Sequence, residues 1–72
     1  MRILEAMNLT LNGSAFETEG PLTLLGLVER HKLKPEAVVV EHNLRVAPKN
    51  DWGRIEIREG DRVEILKFMG GG

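Results

Sequence analysis

Met7-Asn8-Leu9-Thr10-Leu11-Asn12-Gly13-Ser14-Ala15-Phe16-Glu17-Thr18 is where the chain first commits to a shape. Met7 to Leu11 alternate apolar and polar, the pattern of a strand with one buried face. Asn12-Gly13 follows, and a two-residue type I′ turn needs φ > 0 at both central positions, which Asn and Gly tolerate best. Residues 14–18 read as the return strand, with Phe16 turned inward. On the near side, residues 1–6 either extend the first strand or form an N-terminal extension. On the far side, Glu19-Gly20-Pro21 breaks the hairpin and suits a helix start, where proline's missing N–H costs nothing. From Thr23, the apolar positions Leu24, Leu27 and Val28 fall at i, i+3 and i+4, with His31 at i+7. That spacing predicts an amphipathic helix to about Lys32, with His31 as a structural histidine on its core side. Gly26 inside it costs up to ~1 kcal/mol relative to alanine. Arg30 and Lys32 complement the helix dipole. Leu33-Lys34-Pro35-Glu36 ends the helix, because the residue before proline avoids α geometry.

Ala37-Val38-Val39-Val40-Glu41 is a β-branched strand, His42-Asn43 a tight turn and Leu44-Arg45-Val46 a short partner strand. Pro48 to Trp52 is a loop with one irregular helical turn, and Trp52 is read at the edge of the core. Ile55 and Ile57 lie in a short extended piece, Glu59-Gly60-Asp61 is a turn, and Val63 to Phe68 is the last strand. One helix is thus available to cover one face of one mixed sheet. The economical packing is an α+β β-grasp (ubiquitin-like) fold, with the first and last strands adjacent and parallel and the helix across them. The inward phase of each element gives one core of Leu9, Leu11, Phe16, Leu24, Leu27, Val28, Val38, Val40, Val63 and Ile65.

Seventy-two residues make a single domain, residues 1–72. Ten Lys+Arg against eleven Asp+Glu leave a net charge of −1, which supplies no general attraction to nucleic acid or an anionic membrane. No signal-peptide pattern and no run of 18 apolar residues is present, so a soluble cytoplasmic protein is expected. Without cysteine there is no disulfide and no thiol nucleophile. His31 and His42 lack metal-ligand spacing, and three or four ligands are needed, so no metal site is expected. Ser14, the one serine, has no nucleophile-elbow setting. Nothing in the chain makes an enzyme by itself.

The last strand and the residues after it stand apart. Val63 and Ile65 share one face by period two, while Glu64, Leu66 and Phe68 share the other. If the first pair faces the helix, Leu66 and Phe68, with Met69 next to them, form a partner surface; the alternative is that Phe68 caps the core. Gly70-Gly71-Gly72 have no Cβ, so this tail is slim, flexible and able to approach another surface closely. No helix succeeds it, so it is not a phosphate loop.

Several pieces, in this order and spacing, resemble the ThiS family of sulfur carriers within the ThiS/MoaD β-grasp group. They are Leu11-Asn12-Gly13, Thr23-Leu24 with Leu27-Val28, Pro48 followed by Trp52, Glu59-Gly60-Asp61-Arg62-Val63-Glu64-Ile65, and the final Gly71-Gly72. The likeness runs from about Met7 to Gly72. Residues 1–6, His31 and Asn43-Leu44 depart from the usual pattern. The resemblance implies a carrier, not an enzyme, with no bound cofactor. A ThiF-like adenylyltransferase would use ATP to activate the Gly72 carboxylate. A cysteine desulfurase or other donor would supply sulfur, and a ThiG-like thiazole synthase would consume the resulting thiocarboxylate. Gly70 and Gly71 would form the tail that delivers it. A MoaD-type or other pathway-specific carrier, a ubiquitin-like modifier and a plain binding module are the other readings.

Overall fold

The structure, a computed structural model, describes residues 5–68. Met69 and the three glycines, with the expected mobility of the tail, lie outside the described residues, as do residues 1–4. Strand β1 (Ala6–Leu11) and β2 (Ser14–Glu19) form the first hairpin, closed by Asn12 at φ 51 and Gly13 at φ 83. Ala6 therefore belongs to the first strand. Helix α1 (Leu24–Arg30) comes next, then β3 (Val38–His42), β4 (Arg45–Val46) and β5 (Arg62–Lys67). Two 3-10 turns, Pro35–Ala37 and Lys49–Asp51, punctuate the connections. The five strands are ordered β2-β1-β5-β3-β4, and β1 pairs with β5 in parallel through Thr10↔Arg62 and Leu11↔Val63. This is the expected β-grasp topology.

The helix is shorter than its apolar spacing suggests, and its ends show why. Thr23 is the N-cap and its Oγ1 accepts the Gly26 N–H at 3.0 Å. The Leu24 N–H donates to the Ile55 carbonyl (3.0 Å) and the Leu25 N–H to the Trp52 carbonyl (3.1 Å). Thus the N–H groups that a first helical turn leaves unpaired are taken up by the 52–55 segment. At the other end Lys32 turns left-handed (φ 59), its N–H reaches Glu29 and the Leu33 N–H reaches the Val28 carbonyl. That double closure stops the helix with lysine where glycine is usual. Gly26 has a packing reason: a Cβ there would meet Leu22 Cδ1 at 2.9 Å.

The core lies between helix and sheet. Leu24, Leu27, Val28 and Val63 are fully enclosed, and Leu9, Val38, Val40 and Ile65 are buried. Leu11 and Phe16 are half-buried and pack against the core from its margin. Met7, Leu22, Ala47, Trp52 and Ile57 complete it. Trp52 is a correction: it is 2% exposed, a central residue rather than an edge one. The Lys49–Asp51 turn swings its indole inward, and Nε1–H donates to the Ala47 carbonyl at 2.8 Å. Its polar atom is therefore satisfied inside the apolar layer.

Two further expectations are corrected. His31 is exposed, not core-facing: it is the helix C-cap, with Nδ1 3.0 Å from the Leu27 carbonyl and its ring 5.4 Å from that of Phe16. The helix ends before the 3.6 period brings position 31 under cover. The second turn is Asn43-Leu44 (φ 52 and 73), and His42 is the last residue of β3. Leucine is rare in this conformation. Here Asn43 is held from both directions, its N–H donating to the Arg62 carbonyl (2.7 Å) and its Oδ1 accepting the Arg62 N–H (2.8 Å).

Candidate docking face and tail base

Alternation along β5 places its side chains on two sides of the sheet. Val63 and Ile65 enter the core, while Leu66 is 50% and Phe68 60% exposed. Phe68 therefore does not cap the core. Its backbone N–H donates to the Ala37 carbonyl at 3.0 Å, which keeps the strand direction to the last described residue. Across the strands, Val39 faces Leu66, Glu41 faces Glu64, and Glu41 also faces Val46 of β4. The open side thus carries an apolar surface of Val39, Val46, Leu66 and Phe68 around two carboxylates. Leu44, 69% exposed, stands at the turn beside it.

At its β1 side, β5 is finished by a side chain. The Asn12 N–H donates to the Val63 carbonyl at 2.9 Å. The Asn12 Oδ1 then accepts the Ile65 N–H (2.7 Å) and its Nδ2 donates to the Ile65 carbonyl (3.3 Å). The amide acts as one more residue of β1, with a donor and an acceptor placed like a peptide group. Beyond Ile65, β5 has no β1 partner among the described residues. Among the described residues, Leu66 to Phe68 are held by β3 and the Ala37 carbonyl alone.

The opposite end of β5 is tied down. Gly60, at φ 85, turns the chain, and its N–H donates to the Asn8 carbonyl at 2.7 Å. Asp61 accepts from His42 Nε2 (2.7 Å), Asn43 Nδ2 (3.2 Å) and the Arg58 N–H (2.9 Å). Partial burial alone would raise its pKa. The hydrogen bonds from His42, Arg58 and Asn43, with the charge of His42, outweigh that and hold the carboxyl below the usual carboxylate range. Glu41 shifts the other way: hydrogen bonding to Glu64, then partial burial and the like charge, raise it.

Of the residues the sequence points to, Leu66 and Phe68 come together on one surface, whereas Met69, Gly70, Gly71 and Gly72 lie outside the described residues. The sequence does not mark Val39, Glu41, Val46 and Glu64 as one surface with them. Strand register was needed to bring them together; the signal in the chain was that Val39 and Glu41 share a phase opposite to Val38 and Val40. Among the described residues, no three His, Asp or Glu side chains gather as metal ligands, and no helix is long and apolar enough to cross a membrane.

The ThiS family model matches residues 9–72, including the glycine tail. The chain belongs to the ThiS family. Its sequence is 32% identical over 50 residues to the sulfur carrier protein ThiS of Bacillus subtilis, covering 69% of this chain and 76% of that one. A protein of Magnetococcus marinus named thiazole synthase is 36% identical over 66 residues, 92% of this chain but 20% of its own. The ThiS-like chain thus spans about a fifth of the length of such relatives. The crystal structure of a thiamine biosynthesis protein (ThiS) from Geobacter metallireducens superposes with a TM-score of 0.79 at 38% identity, covering 92% of this chain and all of that one. The β-grasp assignment and the family resemblance both hold.

Proposed function

We propose that this ThiS-family chain is the sulfur carrier for thiazole formation in thiamine biosynthesis, with Gly72 as the sulfur-bearing residue. The observation that carries the reading is the family match through residue 72, beyond a strand, Arg62–Lys67, whose outward Leu66 is exposed, as is Phe68 after it. A carboxylate is a poor electrophile. A ThiF-like adenylyltransferase would let it attack the α-phosphorus of ATP, with pyrophosphate leaving, to give an acyl-adenylate. An α-carboxyl has an ordinary pKa of about 3.3–3.7, so the attacking form is present at neutral pH. A persulfide sulfur, from a cysteine desulfurase or similar donor, would then displace AMP to give an acyl disulfide, and a second thiol would attack its donor-side sulfur, forming a disulfide there and leaving the thiocarboxylate for a ThiG-like thiazole synthase. The chain does no catalysis: it presents the terminus. Leu66, Phe68 and Met69 seat the domain on its partners, and Gly70 and Gly71 pass through a narrow channel, held strand-like by their backbone groups.

The test weighs intact protein before and after incubation with activating enzyme, ATP and sulfur donor. The untreated mass reads whether the chain stops at Gly72. The native protein should exchange one oxygen for sulfur. Deleting Gly72 draws the carboxylate back by about 3.3–3.6 Å, more than an attack distance of about 3–3.5 Å tolerates. Gly71→Val should block the channel. Neither variant should gain sulfur, and both should stay folded. Equal thiocarboxylate on the Gly72 deletion would defeat the residue assignment; no change in the native protein would favour an inert binding module.

A further inference from the structure

Glu41 of β3 and Glu64 of β5 are directly opposed on the open side of the sheet. Directly opposed residues bring their Cβ atoms to within about 4.5–5.5 Å, and like charges so placed work against the sheet. Both residues are half-buried. The ion pairs among the described residues are His42–Asp61 and Arg54–Asp51, so neither glutamate has a cation partner among them. Arg62 lies on the same face two residues before Glu64, but it is exposed and its side chain is in no ion pair. Hydrogen bonding to Glu64, then burial and the like charge, raise the pKa of Glu41, so the strain falls on the doubly ionised pair. Around the pair stand Val39, Val46, Leu66 and Phe68, three of them 50% exposed or more.

A pair of this kind is unfavourable in the isolated domain and becomes favourable when a cation sits between the two carboxylates. Arginine suits the place better than lysine. Its guanidinium is planar, offers donors along two edges, and is less strongly hydrated, so it enters an apolar ring more readily. Resting on the sulfur-carrier reading, we propose that the Glu41–Glu64 pair receives an arginine of the thiazole synthase, whose surrounding apolar side chains cover Val39, Val46, Leu66 and Phe68. The apolar ring excludes water and strengthens the ion pairs at its centre. The strand that carries Glu64 leads straight into the tail. Gly72 follows Glu64 by eight residues, a reach of at most about 26–29 Å. The arginine and the sulfur-accepting centre of the synthase therefore lie within that distance of each other.

The experiment compares the native chain with Glu41→Gln, Glu64→Gln and the double variant. Each is titrated calorimetrically against the thiazole synthase of the same organism, at low and high salt. Removing the repulsion should raise the melting temperature of the double variant by about 1–5 °C. The same change should weaken binding to the synthase roughly tenfold or more, with a shallower salt dependence than the native chain shows. A more stable domain that binds worse separates docking from folding. Unchanged affinity in the double variant overturns the proposal. So does a native chain that does not bind the synthase, or one whose sedimentation shows this face buried in a homodimer. Sulfur gain by the native protein is read separately, so failure of the carrier reading is distinguishable from failure of the carboxylate pair.

Discussion

Val63 and Leu66 sit three residues apart on one strand and face opposite sides of the sheet. Val63 is 0% exposed and Leu66 is 50%. The inner phase, Val63 and Ile65, closes a core in which no polar side chain among the described residues is buried. The outer phase, Glu64, Leu66 and Phe68, combines exposed apolar area with a carboxylate that opposes Glu41 of β3. Neighbouring positions of one strand thus face the core and the solvent separately, because successive side chains of a strand point to opposite faces. Substitution on one face should therefore register in stability and on the other in partner binding.

The largest effect is expected from Trp52→Ala. It removes the largest enclosed side chain of the core and leaves the Ala47 carbonyl without its donor. Such a truncation costs about 3–5 kcal/mol. A domain of this size has only about 4–11 kcal/mol in total. Urea denaturation should show a midpoint far below the native one; a near-native midpoint would contradict the central place of the indole.

An intermediate effect is expected from Asp61→Ala, which strips the acceptor from His42, Asn43 and the Arg58 N–H. The loss should be about 1–3 kcal/mol at neutral pH. Its pH dependence has a definite sign. The folded pKa of Asp61 lies below the ordinary one, so its contribution is complete above about pH 4 and disappears as pH falls through the folded value. Stability measured from neutral to strongly acidic pH should fall more steeply below about pH 4 in the native protein than in the variant. Parallel acid limbs would mean that the network does not depend on the charge.

The smallest effect on stability, and the sharpest contrast, belongs to the outer phase. Leu66→Ser and Phe68→Ser should change stability by no more than about 0.5 kcal/mol, as exposed substitutions do. On the proposed docking role, binding to the thiazole synthase should nonetheless weaken. A large drop in the denaturation midpoint for either would show that the outer face also holds the fold together.

Much of this division could be read from the chain. Asn12-Gly13 announced its hairpin because its backbone conformation is demanded locally. Leu24, Leu27 and Val28 announced the helix, and Val63 and Ile65 against Leu66 and Phe68 announced two faces, because periodicity is a local property. The rest depended on partners distant in sequence. Trp52 looked like a loop residue because its burial is set by the turn before it and by the helix N-terminus that borrows its carbonyl. His31 carried the helical period past the point where Lys32 closed the helix. Asn43-Leu44 hid a left-handed turn because what holds it, Arg62 and Asp61, is 18–19 residues away. The second task of Asn12, completing the edge of β5, lies 53 residues from its partner Ile65 and has no local signature.

The position of β5 in the middle of the sheet bears on how the protein is made. The two hairpins, β1–β2 and β3–β4, touch through β5. During synthesis both emerge from the ribosome before the strand that joins them, and until Arg62 to Lys67 emerge, each hairpin has its inner edge exposed. A copy cut short before β5 has a gap where its central strand belongs and should be an early target for degradation, since unpaired edges and uncovered apolar surface mark incomplete chains. A copy that contains Arg62 to Lys67 has closed that gap, and the glycines of the sequence come after it.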